Sequence, residues 1–355
     1  MMLSMTGRRL TLLAGLMAAL MWLGLAPVAK AQQGTLRERI RERMAERREG
    51  RDTRKTEPAT DAALASPGTH QGRIEVMGVE RLFMIHVPPG YRTDQPMPML
   101  LAFHGGGGSM ALQADNSRYG LISKADSAGF IAVFPNGHSG TPGHHLATWN
   151  AGGCCGSARD SGSEDVAFVR ALIEHLKQRL SIDARRIYAT GMSNGAMMSH
   201  RLACELSEQL AGIAAVAGTD ATSRCQPRRP IPVLMIHALD DDHVLYQGGA
   251  GPEAFRDRSK VMDFVSVPET TQRWVQRNHC SGTPLKVLQQ PGAWCERYSG
   301  CAEGVQVQLC TTETGGHSWP GGRSRPGKGQ PSQALDANDT MWAFFQSQSL
   351  SQPRR

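Results

Sequence analysis

The sequence predicts an α/β fold, a mostly parallel sheet with helices on both faces. Three observations carry that expectation. Short apolar runs closed by Pro or Gly alternate with stretches of helical periodicity. A G-x-S-x-G pentapeptide, Gly191 to Gly195, joins one such run directly to one such helix. Once an unusual N-terminus is set aside, about 285 residues from Gln71 onward remain, a length that suits one large domain.

The N-terminus reads as an export signal over residues 1–31. Arg8 and Arg9 precede an apolar run from Leu10 to Leu25, and Ala29-Lys30-Ala31 closes it with small residues at a cleavage site. The run is shorter than the roughly 20 residues that span a bilayer, and no later segment is apolar enough, so stable membrane insertion is not expected. A secreted protein, periplasmic or extracellular, is the expectation, in a compartment where disulfides persist. Residues 32–70 form an Arg/Glu-rich segment and a linker. Leu36, Ile40 and Met44 give the charged part only a thin apolar stripe, that of a solvated helix or tether.

The basic net charge misleads about partners. Arg8, Arg9 and Lys30 contribute +3, and residues 35 to 55 contribute +4 from nine basic and five acidic residues. Together they make the whole formal +7, so the remaining chain is neutral. A nucleic-acid binder needs its positive charge on the folded domain, so no nucleic-acid partner is expected.

Within residues 71–350 the elements follow in order. "RLFMIHVPPGY", "MPMLLAFHGGGGS" and "GFIAVFPNG" read as buried strands meeting loops. "SEDVAFVRALIEHLKQRL" is helical, with Ser163 as its expected cap and Val166, Val169, Leu172, Ile173, Leu176 and Leu180 at helical spacing. "RRIYAT" is a strand running into the G-x-S-x-G, and "NGAMMSHRLACELS" is helical again. "PIPVLMIHALDD" is a later strand ending in acids, and "GVQVQLCTT" is a strand before a glycine-rich loop. A serine on a strand-to-helix turn is a nucleophile elbow, whose glycines spare the neighbouring strand and helix a collision.

A serine hydroxyl needs a base, and the base needs an orienting carboxylate. In elbow folds the chain order is Ser, acid, His. His317, in "ETGGHSWPGG", is the base by position. His104, His237, His279 and the His144-His145 pair lie too early or inside strand text, and His243 reads as a loop residue. The acid lies among Asp240, Asp241 and Asp242, which the residues alone do not separate. A metal site there is disfavoured, because three successive side chains do not converge on one ion. The backbone N–H of Asn194 and one from Gly106 or Gly107 in "HGGGGS" are the candidate oxyanion donors. No Lys-Ser/Thr follows those glycines, which argues against a phosphate loop. Acyl transfer by these groups needs neither a metal nor an organic cofactor.

Six separated stretches, "HGGGGS", "WNAGGCCG", "SEDVAFVRAL", "GMSNGAMMSHRLACE", "IHALDDDHVLYQGG" and "GGHSWPGG", fall in one family's order. From about Arg73 to Phe345 the chain resembles the polyhydroxybutyrate depolymerase and feruloyl esterase family, secreted esterases of the α/β-hydrolase fold. The resemblance implies Ser193 as nucleophile, Asp241 as acid and His317 as base. It places Trp149 and Trp319 where such esterases line the acyl pocket. This chain has His237-Ala238 where the family usually has His-Gly, and Leu245 where it usually has Pro. The implied activity is serine carboxylic-ester hydrolysis through an acyl-enzyme, by a monomer. The implied substrates are hydroxycinnamoyl or acetyl esters of plant polysaccharide, or hydroxyalkanoate esters. No stretch of domain size follows residue 350, which favours soluble esters over solid granules. A serine peptidase and a non-catalytic protein on the same fold are the competing readings. The second would usually have lost a triad residue.

Eight cysteines permit many pairings. Cys295 and Cys310 flank an expected hairpin and can face each other across it. The resemblance supports Cys280 with Cys301. Cys154 and Cys155, being adjacent, are expected to reach Cys204 or Cys225.

Overall fold

The computed structural model describes residues 64–141, 146–255, 257–324 and 329–351. The expected export signal, the charged segment up to residue 63 and the His144-His145 pair lie outside these residues. The domain starts before residue 71: Leu64 is buried in the core, and β1 (Gly68–Val76) already pairs along its whole length with β2 (Val79–Val87). Among the described residues no helix is long and apolar enough to cross a membrane.

The sheet has ten strands. Besides β1 and β2 these are β3 (Met97–Phe103), β4 (Ile131–Pro135), β5 (Ile182–Met192), β6 (Gly212–Val216), β7 (Val233–Ala238), β8 (Leu285–Gln290), β9 (Ala293–Tyr298) and β10 (Val307–Thr312). Their order is β1-β2-β4-β3-β5-β6-β7-β10-β9-β8. The run β4-β3-β5-β6-β7-β10 is parallel, and the strands outside it pair antiparallel. Among the described residues five longer helices cover the sheet: α1 (Leu121–Ala128), α2 (Asp165–Lys177), α3 (Asn194–Glu205), α4 (Val267–Arg277) and α5 (Ala337–Gln346).

Burial on both faces explains why the central strands read as unbroken apolar runs. Successive residues of β3 alternate between two cores. Met99, Leu101 and Phe103 join Phe168 and Leu172 of α2, Met198 and Leu202 of α3 and Trp274 of α4. Leu100 and Ala102 join Leu121 and Ala125 of α1 and Met341 and Phe345 of α5. Each fully buried Leu, Ile or Phe contributes roughly 1.5–3 kcal/mol, so this double layer is the main source of stability.

The helix starts follow local chemistry, with one correction. Ser266 caps α4 by accepting from the Glu269 N–H at 3.1 Å, and Asp336 caps α5 by accepting from the Asp339 N–H at 2.8 Å. Ser163 does not cap α2. Its hydroxyl instead donates to Asp165 Oδ1 at 3.1 Å, on a carboxylate that also takes Arg81 at 2.6 Å and the Asn150 N–H at 2.8 Å.

All eight cysteines are paired. Cys295 and Cys310 are direct cross-strand partners on β9 and β10 and are bonded, as are Cys280 and Cys301. The expectation for the other four is overturned. Cys204, near the end of α3, and Cys225 bring their Cα atoms to 4.9 Å and take each other, which leaves Cys154 and Cys155 as partners. Losing a native disulfide costs about 2–5 kcal/mol. Thiol titration of the denatured, unreduced protein should therefore find no free cysteine, and reductant should lower the melting temperature by several degrees. Finding several titratable thiols would contradict the pairing.

Candidate active site

β5 ends at Met192 and α3 begins at Asn194, so Ser193 alone makes the turn, at φ 57° and ψ −122°. A non-glycine residue holds positive φ only where its surroundings impose it. Here backbone approach imposes it. A Cβ on Gly191 would stand 2.5 Å from the Gly195 carbonyl and 2.7 Å from the Phe103 oxygen, and one on Gly195 would overlap the Phe103 carbonyl outright. The Ser193 N–H donates to Val216 O at 2.9 Å, which ties the turn to the end of β6.

Asp241 follows β7 and is 2% exposed. Its carboxylate accepts from His317 Nδ1 at 2.9 and 3.1 Å, and from the backbone N–H groups of His243 and Val244, each at 2.9 Å. His237 Nε2 lies 3.2 Å from the same carboxylate and 2.8 Å from Val244 O, so its proton serves both acceptors. Burial by itself would raise the Asp241 carboxyl. The facing His317 charge and the hydrogen bonds from His237 and His317 outweigh it and hold the group well below the usual carboxylate range. With its Nδ1–H on Asp241, His317 keeps the Nε2 lone pair free to take a proton.

The two neighbouring aspartates have other work. Asp240 accepts from Gly316 N–H at 2.8 Å and Gly315 N–H at 3.3 Å, anchoring the loop that carries His317. Asp242 holds His243 Nδ1 at 2.6 Å, and the His243 ring stacks on His317 with centroids 4.4 Å apart and planes 13° from parallel. Burial first, and the like charge of His317 second, hold His243 below its ordinary value. Sequence reasoning placed His243 merely in a loop. Its position two residues after the acid was the available signal.

The glycine loop after β3 is fixed by His104, which is fully buried. Gly137 N–H donates to its Nε2 at 3.0 Å, so the proton sits on Nδ1 and goes to the Gly105 carbonyl at 2.8 Å. Of the two expected donors, Gly107 is removed, because its N–H is given to Ala147 O at 2.9 Å. Gly106 has no such acceptor among the described residues and borders Asn194, whose N–H opens α3 without an intrahelical partner.

Ser193, Asn194, Gly106 and His317 line one cleft of about 880 Å³, with Tyr119, Met192, Phe255, Phe264 and Trp319 among its walls. Trp319 is on the wall, its ring edge-on to Tyr119 at 5.5 Å. Trp149 is not. It is 0% exposed in the core, edge-on to Phe103, and its Nε1–H donates to His104 O at 3.0 Å. Asn194 clamps it from the other side, accepting from Trp149 N–H at 2.7 Å and donating to Trp149 O at 3.0 Å. Asp241, His243 and His317 are also the one cluster among the described residues with metal-ligand spacing.

Residues 82–224 match the family model described as Esterase PHB depolymerase. The chain is similar to "Feruloyl esterase B" of Piromyces equi, 32% identical over 243 residues, covering 67% of this chain and 42% of that protein. This chain therefore spans less than half the length of that relative. It is also similar to "Putative esterase NocK" of Nocardia uniformis subsp. tsuyamanensis, 29% identical over 280 residues, covering 75% of this chain and 78% of that one. Among solved structures, the acetyl xylan esterase from Aspergillus awamori superposes with a TM-score of 0.53 at 13% identity, over 78% of this chain and 98% of that chain. That likeness concerns the fold, the α/β-hydrolase fold.

Burial holds His104, and His200 of α3, to about 4, well below an ordinary histidine near 6.5. Unfolded, each binds a proton below about pH 6.5, but folded only below about 4, so the unfolded chain carries more protons in between. Stability should accordingly be fully present above about pH 6.5 and decline as the pH falls to 4, by up to about 3 kcal/mol per histidine. Urea melts at pH 7 and pH 4.5 measure this, and coincident midpoints would contradict neutral burial.

Proposed function

The chain belongs to the esterase family of polyhydroxybutyrate depolymerases and feruloyl esterases, and on that premise we propose that it is a serine carboxylic-ester hydrolase. The observation that carries the reading is the pairing of His317 Nδ1 with the buried Asp241, in the cleft that Ser193 also lines. Ser193 Oγ attacks the ester carbonyl while His317 Nε2 takes its proton. Asp241 keeps the imidazole in the right tautomer and stabilises the imidazolium that forms. The N–H groups of Asn194 and Gly106 receive the oxyanion, at the positive end of α3. His317 returns the proton to the departing alcohol. Water then attacks the acyl-enzyme through the same base, releasing the acid and restoring Ser193.

The proposed substrates are hydroxycinnamoyl or acetyl esters of plant polysaccharide, or hydroxyalkanoate esters. The names of the relatives and of the family support this range. Secretion is proposed with it, supported by the leader-like residues 1–31 and by the four disulfides.

Ser193→Ala and His317→Ala should each lower kcat on methyl ferulate or 4-nitrophenyl acetate by about 10³-fold or more with the melting temperature kept. Retained turnover in either variant would end the assignment. In the aspartate series, Asp241→Asn should also lose about 10³-fold or more, because the amide leaves the imidazole in the wrong tautomer. Asp240→Asn keeps an oxygen for the Gly315 and Gly316 N–H groups and should stay within about tenfold of wild type. Equal losses at 240 and 241 would shift the acid by one position.

A further inference from the structure

Arg118 lines the same cleft as Ser193 and His317, together with Tyr119, Trp319 and Arg323. The adjacent Tyr119 reaches the residue before the nucleophile, its hydroxyl donating to Met192 Sδ at 3.9 Å. The backbone carbonyl of Arg118 accepts from Arg323 N–H at 2.9 Å, joining this wall to the loop after the base. Two guanidinium nitrogens of Arg118, Nε and Nη1, are buried without a hydrogen-bond partner among the described residues. Its guanidinium carbon lies over the Tyr119 ring, 5.5 Å from the centroid. Nearby acids are committed elsewhere. Asp115 accepts from the Ser117 N–H and hydroxyl, Asp339 pairs with Lys124 at 2.7 Å, and Asp242 holds His243. Glu253, the other acid on the cleft, comes from the segment after β7, not from the Tyr119–Trp319 wall.

Arg118 is half-buried, and two unpartnered desolvated donors on its guanidinium are a costly arrangement that an anion could relieve, the planar fork matching a carboxylate. We propose that Arg118 is a specificity-determining residue that binds a carboxylate on the substrate, so that the enzyme prefers esters carrying a free carboxylate a few bonds from the scissile carbonyl. This rests on the esterase reading above. A hydroxyalkanoate oligomer ending in its free acid has that chemistry; its neutral methyl ester does not.

The test compares kcat/KM for the 3-hydroxybutyrate dimer as free acid and as methyl ester, with 4-nitrophenyl acetate as a neutral reference. The wild type should favour the free acid by about tenfold or more, and added salt should shrink that ratio. Arg118→Leu should bring the ratio to about one or below, while Arg118→Lys, which keeps the charge without the fork, should retain part of it. Circular dichroism checks that each variant is folded. Equal rates on acid and methyl ester in the wild type, or a preference that survives Arg118→Leu, would overturn the proposal and leave the esterase reading standing. A wild type that hydrolyses none of the three esters would overturn both.

Discussion

Where β3 and β5 end and α3 begins, three backbone segments approach so closely that no side chain fits between them. A Cβ on Gly195 would overlap the Phe103 carbonyl, and a Cβ on Gly218 would stand 2.5 Å from the Ser193 carbonyl. This contact depends on hydrogen atoms standing where other residues carry a methyl. It forces Ser193 to positive φ, and so lifts the hydroxyl clear of the sheet into the cleft. The same approach sets the glycine loop beside the start of α3, so that Gly106 and Asn194 are neighbours before any substrate arrives.

Preorganisation of that kind survives only if the polar groups around it have partners. A buried chain of hydrogen bonds supplies them: Asn194 to Trp149, Trp149 to His104, and His104 to Gly105 and Gly137. Each member uses its side chain to hold a backbone group of the next. That chain explains Trp149 better than a pocket role does, since the residue is fully buried and its indole holds the His104 carbonyl. It also distributes the donors, because the Gly107 N–H is used internally while that of Gly106 has no acceptor among the described residues.

The fold and the elbow turn were legible in the sequence, and the geometry of their supports was not. The parallel strands were readable because strands buried on both faces are apolar throughout, and the elbow was readable because its two glycines are a steric necessity. β6, "GIAAV", escaped because five small apolar residues carry no period of their own. β1 escaped because polar residues face solvent along it and its register comes only from β2. α4 and α5 carried cap signals at Ser266 and Asp336 that the motif-led reading passed over. The pairing of Cys204 with Cys225 depends on where the chain turns after α3, a tertiary fact with no local signature. Trp149 and Gly107 failed for the same reason. Their residue types fit the expected roles, and only the hydrogen-bond partners decide against them.

The three consecutive aspartates show how far identity of residue falls short of identity of role. Asp240 and Asp242 are exposed and Asp241 is 2% exposed, though all three follow the same strand. Water screens the first two, so each is worth little beyond the hydrogen bonds it makes to a loop or a ring. Asp241 is shielded from bulk water, and its charge is offset by His237, His317 and two backbone N–H groups that face it. Coulomb attraction is strongest where the effective dielectric is lowest, so a cation forming on His317 is stabilised by Asp241 far more than by either neighbour. Burial at the C-terminal end of β7 thus sets Asp241 apart as the partner of His317, and the exposed aspartates on either side hold the loop and the second histidine that frame it.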